Sequence, residues 1–325
     1  MHIHTRGDAL QVLASLLDVP SIEFVEHIQT LWSGYGRLFK IRHGSKSFIV
    51  KWISPPEHQK HPRGFGGSYS HERKLRSYRI ERTFYEHWAH RTTPQCRLPQ
   101  LKTAAEVDAS LVLILEDLDM AGFPSRCNEV SDVGMRAALD WLAAFHAQFL
   151  GVIPDNLWPV GTYWHLATRP DELAATRDPR LKQVASLLDE RLSGATYQTL
   201  VHGDAKVANF CFSSDHSQVA AVDFQYVGGG CGIKDVAYLL SSCLTENQLM
   251  QQEHCLLAYY FERLRSYLES HAIDSELVVQ EWLSLYPVAW ADFARFLSGW
   301  APEHWKLHRY TEHQIQSALA QLANG

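Results

Sequence analysis

Between residues 200 and 225, three short apolar runs alternate with small polar side chains. Leu200-Val201, Phe210-Cys211-Phe212 and Val219-Ala220-Ala221-Val222 read as short strands. Each leads into or out of polar positions: Val201-His202-Gly203-Asp204, then Lys206 and Asn209, then Val222-Asp223-Phe224-Gln225. A carboxylate (Asp204), an amide (Asn209) and a second carboxylate (Asp223) therefore fall within 20 positions, on a strand-loop-strand hairpin that brings them together. Asn209 and Asp223 are hard oxygen donors of the kind that Mg2+ prefers.

The spacing Asp204-x4-Asn209 matches the catalytic loop of protein kinases, and Asp223-Phe224-Gln225 stands where their Asp-Phe-Gly stands. With His202-Gly203 in front, the set resembles the aminoglycoside phosphotransferase and choline kinase group of kinase-like enzymes. Within that group it most resembles the ecdysteroid-kinase-like branch. The resemblance implies an α+β, two-lobed protein-kinase-like fold: a small antiparallel-sheet lobe with one long helix over residues 1–117, and a larger, mainly helical lobe over 118–325. It implies transfer of the γ-phosphoryl group of ATP, with Mg2+, to a hydroxyl of a small-molecule acceptor. In that scheme Asp204 orients the acceptor hydroxyl and takes its proton. Lys206 steadies the γ-phosphate, Asn209 and Asp223 hold the metal, and Lys51 pairs with the α/β phosphates. Main-chain groups of Glu116, Asp117 and Leu118 form the hinge that binds adenine. His202 packs and hydrogen-bonds the loop. Gln225 replaces the protein-kinase glycine and offers no activation switch.

Upstream, Asp8 to Leu17 carries apolar residues at helical spacing. Ile22 to Leu31 reads as a strand, Trp32-Ser33-Gly34-Tyr35-Gly36-Arg37 interrupts it, and Leu38 to Ile41 resumes it. His43-Gly44 turns the chain into Ser47 to Ile53. The residues Ser33, Gly34, Tyr35 and Gly36 could bring backbone N–H groups to a phosphate, because glycine adopts conformations other residues avoid. A plain hairpin turn accounts for the two glycines about equally well. Lys51 shares a strand face with Ile49 and Ile53, where a charge needs a partner or an anionic ligand. Its other reading is an edge-strand lysine directed to water. Ser54 to Ser70, rich in Pro, Gly, His and Lys, reads as a mobile loop.

On a helix from about His71 to His90, Tyr78, Glu81, Tyr85 and Trp88 fall on one face. Glu81 is thus the helix acid expected to be half-buried and to want a cation, and Lys51 is the candidate, as in the lysine–glutamate pair of active kinases. Flanked by Arg79, Arg82 and Glu86, it reads otherwise as a solvated glutamate. Arg97 to Lys102 is an extended piece, and Ser110 to Leu118 is a continuous apolar strand ending in two acids. Ser131 can cap a helix running to about Leu150 with Ala138, Leu142, Phe145 and Phe149 as its buried stripe. His146 on that helix reads as structural. Pro154 to Pro179 is irregular, and Leu181 to Leu192 is helical.

After the central motif, Gly228-Gly229-Gly230 and Gly232 suggest either a phosphate cradle or a flexible connector, with the connector preferred. Asp235 lies in a match to the family's Asp-Leu-Ala-Tyr-like segment, which implies that it braces the catalytic loop by accepting backbone hydrogen bonds. Glu246 to Asn324 is predominantly helical. Its aromatic residues, Trp282, Tyr286, Trp290, Phe293, Phe296, Trp300 and Trp305, are expected to be mostly core. One of them could stack on a ring or hold a cationic head group. His304 and His308 make a weak zinc pair with no third ligand apparent.

Apolar residues at 46% and charged residues at 20% suit a globular chain with a sizeable core. A net charge of -6 argues against a nucleic-acid partner. No apolar run approaches the roughly 20 residues of a membrane helix, and Met1 to Arg6 lacks the apolar region of a secretory signal. The six scattered cysteines form no C-x-x-C pair, which points to reduced thiols and a cytoplasmic location. No obligate protein partner is evident. Nothing corresponds to the Ala-Pro-Glu segment of protein kinases, so a small-molecule alcohol is the expected acceptor, with a tilt towards an apolar or ring-bearing one. Two other functions compete: a nucleotide-binding pseudokinase or interaction module without turnover, and a metal-dependent hydrolase using His202, Asp204 and Asp223.

Overall fold

The structure is a computed structural model that describes residues 6–56, 68–127 and 129–324. Most of the Ser54–Ser70 loop expected from sequence lies outside them. The fold is α+β and kinase-like, and it divides into two compact units. The first comprises 1–90 and 98–124, the second 91–97 and 125–325. The sequence division after residue 117 therefore falls short of the observed one, and a short strap, 91–97, sits with the second unit. Trp141 shows why, since its indole N–H donates to the carbonyl of Arg97 at 2.9 Å.

The first unit is built on a five-stranded antiparallel sheet. β1 (Glu23–Thr30), β2 (Gly36–His43), β3 (Lys46–Ile53), β4 (Leu101–Val107) and β5 (Ser110–Glu116) pair in the order β1-β2-β3-β5-β4. α1 (Arg6–Leu16) packs Leu13 against Phe39, Ile41, Val50, Trp52, Val112 and Ile114. Val50, Val112 and Ile114 are fully buried, each stabilising by about 1.5–3 kcal/mol relative to exposure. Lys51 lies on central β3, opposite Leu38 of β2 and Leu113 of β5. That placement rules out the edge-strand reading. β4 departs from the sequence reading, which ended an extended piece at Lys102. Its Ala-rich run has weak strand propensity, and it forms as an edge strand paired to β5 next to Asp108, whose φ is 51°.

α2 (Ser68–His87) buries the face anticipated for it: Tyr78, Glu81 and Tyr85 are buried, and Trp88 follows just beyond its end.

The second unit is mainly helical. α3 (Asp132–Gln148) starts at Ser131, whose hydroxyl accepts the N–H of Gly134 at 3.2 Å. The predicted helix over Leu181 to Leu192 is split into α5 (Pro179–Gln183) and α6 (Ala185–Ser193), after a short α4 (Pro170–Ala174). Two small two-stranded antiparallel sheets follow. β6 (Thr199–Val201) pairs with β9 (Gly228–Gly230), and β7 (Phe210–Phe212) pairs with β8 (Val219–Ala221).

β9 corrects the flexible-connector reading of Gly228 to Gly230. These glycines form a buried strand. A Cβ on Gly228 would meet the carbonyl oxygen of Trp158 at 2.1 Å, and one on Gly229 the carbonyl oxygen of Pro159 at 2.7 Å. Glycine is required here for close approach of backbones rather than for mobility.

α7 (Ile233–Cys243), α8 (Glu246–Leu268), α9 (Ser275–Trp300) and α10 (Arg309–Ala323) complete the unit. Trp282, Tyr286, Trp290, Phe293 and Phe296 are core, whereas Trp305 is 56% exposed. His304 and His308 each have Nδ1 engaged by a backbone N–H. His308 caps α10 through the N–H of Thr311, and His304 accepts the N–H of Lys306. The six cysteines are free thiols. Among the described residues no helix is long and apolar enough to cross a membrane.

Candidate active site

The candidate catalytic loop runs from the end of β6 into a single 3-10 turn, Val207–Asn209, and then into β7. Gly203 has φ 80°, and a Cβ there would meet the carbonyl oxygen of Tyr226 at 2.0 Å. Only glycine allows the turn that presents Asp204. Asp235 on α7 braces it from behind: its carboxylate accepts the N–H of His202 at 2.5 Å and that of Gly203 at 3.0 Å. This is the bracing role the family resemblance implied. The same carboxylate lies 3.2 Å from Nε2 of His146, whose Nδ1 lies 2.8 Å from the Tyr260 hydroxyl. All three side chains are fully buried.

His202 is also fully buried, and burial lowers its pKa against the pull of Asp235, Asp204 and Asp223. Its neutral ring fits the contacts on both sides. Nε2 lies 3.0 Å from the carbonyl of Val222, and Nδ1 accepts the N–H of Asp204 at 3.3 Å. With one proton to place, Nε2–H donates and Nδ1 accepts. The histidine thereby ties the start of the loop to the segment just before Asp223.

The side-chain nitrogen of Asn209 donates to the Asp204 carbonyl at 2.7 Å and to its Oδ2 at 3.1 Å. Lys206 Nζ reaches the same Oδ2 at 3.2 Å. The carboxylate charge, outweighing partial burial, raises the lysine's pKa. The β7–β8 register sets Phe210 opposite Ala221, and the N–H of Val222 bonds the carbonyl of Asn209 at 2.9 Å. Asn209 and Asp223 thus flank the open end of one hairpin. Asp223 is held at φ 69°, a left-handed conformation that aspartate tolerates better than most residues. Gln225 donates to its Oδ1 at 2.6 Å.

The donor set fits Mg2+. Because the Asn209 nitrogen faces Asp204, its amide oxygen is the atom it could turn to a cation. Oxygen-only ligation by one or two protein groups is what Mg2+ takes when phosphates and water complete its shell. Among the described residues no group of three His, Cys, Asp or Glu side chains is placed to hold a metal by itself.

In the first unit, Lys51 Nζ contacts both carboxylate oxygens of Glu81, at 2.9 and 2.7 Å. The lysine is 5% exposed and the glutamate 1%. The expected pair is therefore formed. Ser33 (φ 57°) and Gly34 (φ 75°) shape the tip between β1 and β2, and at Gly36 a Cβ would meet the Trp52 carbonyl oxygen at 2.0 Å. The Tyr35 side chain turns inward, its hydroxyl 2.6 Å from His71 Nδ1. At the end of β5, Glu116 exchanges backbone and side-chain hydrogen bonds with Gln100. The Asp117 side chain is internal: it accepts from Ser47 Oγ at 2.6 Å and from the N–H of Asp119 at 3.1 Å, and lies 3.2 Å from Lys40 Nζ. The carbonyls of Asp117 and Leu118 accept N–H groups of Ala121 and Phe123.

Three residues beside Asp204 escaped the sequence reading. Tyr238 is buried and Tyr163 half-buried around it, and desolvation together with the Asp204 charge raises the pKa of both. Lys306 also feels that charge. Tyr238 stands three positions after Asp235 in a readable segment. Tyr163 and Lys306 lie in irregular stretches with no periodic signal.

Among solved structures, the fold is shared with a microcompartment-associated aminopropanol kinase, at 14% identity over 98% of this chain and 96% of that one, with a TM-score of 0.51. Aminoglycoside phosphotransferase APH(4)-Ia aligns at 13% identity over 99% of both chains, with a TM-score of 0.48. An aminoglycoside-3'-phosphotransferase of type VIII aligns at 16% identity over 87% of this chain and 100% of that one, with a TM-score of 0.46. No curated protein matches the sequence. The fold is that of a small-molecule-kinase-like protein. Within that class, residues 163–272 match the ecdysteroid kinase-like family, a segment that contains the whole of the central motif.

Proposed function

We propose that this chain is an ATP- and Mg2+-dependent phosphotransferase that moves the γ-phosphoryl group to a hydroxyl of a small-molecule alcohol. The observation that carries the reading is the Asn209 amide: its nitrogen is engaged by Asp204, and the β7–β8 register sets Asn209 and Asp223 just outside the paired ends of the two strands. In the reaction the acceptor oxygen bonds the γ-phosphorus as the bond to the β–γ bridging oxygen breaks, and the acceptor proton passes to Asp204. Both hydrogen bonds from Asn209 and Lys206 fall on Oδ2, so Oδ1 is assigned the proton.

Lys206 steadies the γ-phosphate, and Lys51, held by Glu81, takes the α/β phosphates. Backbone N–H groups from Ser33 to Gly36 approach the phosphates, and main-chain groups of Glu116 to Leu118 take the adenine. Bound Mg2+ supplies charge neutralisation across the phosphate oxygens. With ATP as donor, the reaction belongs in the cytoplasm.

The test is Asp204→Asn. Transfer to an alcohol should fall by about 10²- to 10⁴-fold, while calorimetric ATP binding is unchanged. Near wild-type transfer would remove Asp204 from its role. A wild-type chain that binds ATP and transfers to no acceptor would be the pseudokinase alternative. Phosphatase activity without ATP would favour a hydrolase.

A further inference from the structure

Lys306 lies between α9 and α10 and is 8% exposed. Its ammonium sits over three rings, 4.9 Å from the centroid of Tyr238, 5.3 Å from Phe293 and 5.6 Å from Trp305. Among the described residues the ammonium's one hydrogen bond is a long one, 3.5 Å to Ser241 Oγ, and no carboxylate pairs with it. An ammonium has three N–H donors. At least two are therefore left for something else.

Lys306 also lies close to the candidate catalytic loop. Its partner Ser241 adjoins Ser242, whose hydroxyl accepts the N–H of Val207 in that loop at 2.9 Å. Tyr238, beneath the ammonium, packs edge-on to Tyr163 at 5.5 Å, and the N–H of Tyr163 bonds the carbonyl of Gly203. The outer wall of the cage, Trp305, is 56% exposed.

A ring of aromatic faces that already holds a cation repels a second one. An oxyanion is the complementary guest, because it accepts charge-assisted hydrogen bonds from the unused N–H groups. We propose that Lys306 binds an acidic group of the acceptor, so that the alcohol phosphorylated here also carries a carboxylate or another oxyanion. The inference rests on the phosphotransferase reading for the reaction, though not for the binding. Burial holds the lysine's pKa down at about 8, so the ammonium is charged at neutral pH and an oxyanion would stabilise that charge.

The experiment compares aliphatic and aromatic hydroxy acids with their primary amides and with amino alcohols, in the wild type, Lys306→Met and Lys306→Arg. Wild type should prefer each acid used to its amide in kcat/KM. Lys306→Met should lower that acid-to-amide ratio by about 10- to 100-fold, and Lys306→Arg should largely keep it. Preference for amino alcohols, or an unchanged ratio in Lys306→Met, overturns the inference. So does weakened ATP binding in Lys306→Met without any change in acid preference, which would mean that the ammonium serves the nucleotide.

Calorimetric binding of the same acids separates the two readings. Binding that is lost in Lys306→Met, with no transfer to any alcohol, keeps the anion site and sinks the phosphotransferase. Absence of binding by any hydroxy acid sinks the anion site even if neutral alcohols are phosphorylated. Thermal melts of both variants establish that they fold.

Discussion

One side-chain nitrogen of Asn209 bonds both the carbonyl oxygen and the carboxylate of Asp204, at 2.7 and 3.1 Å. In the proposed reaction the amide has two jobs: it sets the orientation of Asp204 with its nitrogen and offers its oxygen to a cation. Asn209→Asp breaks the first and strengthens the second, because it sets two carboxylates face to face. Asn209→Ala removes both. We expect Asn209→Ala to raise the Mg2+ concentration needed for half-maximal activity by about 10- to 100-fold, and Asn209→Asp to be inactive at every Mg2+ concentration. A Mg2+ titration of ATP-dependent transfer reads both outcomes. An unaltered Mg2+ requirement in Asn209→Ala would take the residue out of the metal site.

The Lys51–Glu81 pair separates stability from activity. Both partners are nearly inaccessible, and breaking such a pair by removing one side leaves an uncompensated buried charge. Glu81→Leu should destabilise the protein by about 3–5 kcal/mol, whereas Lys51→Met combined with Glu81→Leu should regain most of that loss. Urea unfolding measures both. If the pair serves the nucleotide, the double variant stays inactive although it is stable; recovered activity would reduce the pair to a structural element.

Lys306 makes stability depend on pH in an unusual direction. Its folded pKa of about 8 lies below the ordinary 10.5, with burial as the cause and the charges of Cys243, Asp204 and Lys206 as its neighbours. Between those values the unfolded chain holds a proton that the folded chain has given up. Folding is thus penalised fully below pH 8, and the penalty fades as pH rises to 10.5. Lys306→Met should stabilise the protein at pH 7 by up to about 3 kcal/mol, less whatever the ring contacts return. The gain should shrink towards zero at pH 10.5. Urea midpoints at the two pH values check it, and a gain that does not change with pH would contradict the assignment.

Gly228→Ala tests the packed strand. The added Cβ meets the Trp158 carbonyl oxygen at 2.1 Å, and neither backbone can yield without disturbing the β6–β9 pair. A loss of about 1–3 kcal/mol or more is expected. Gly34→Ala is the contrast: its Cβ meets nothing within 4 Å, and only the φ of 75° opposes it. Thermal melts of the two variants should differ accordingly.

Legibility from sequence followed the range of the interactions. Asp204, Asn209 and Asp223 were readable because a strand-loop-strand spacing joins them locally. Lys51 and Glu81 were readable because a strand face and a helix face each expose one charge among apolar neighbours. The glycine strand was misread because composition alone cannot distinguish a glycine needed for mobility from one needed for lack of space. β4 was missed because Ala-rich edge strands depend on their partner for definition. Tyr163, Tyr238 and Lys306 come from separate segments of the second unit and meet only through tertiary packing, which no local pattern announces.

The relay from Asp235 through His146 to Tyr260 means that the shape of the loop around Asp204 is dictated from fully buried side chains of the second unit's core. Diversification of the α9–α10 corner could then proceed without retuning the chemistry. Under the proposed function, a chain wired this way keeps its loop geometry while its choice of acceptor drifts.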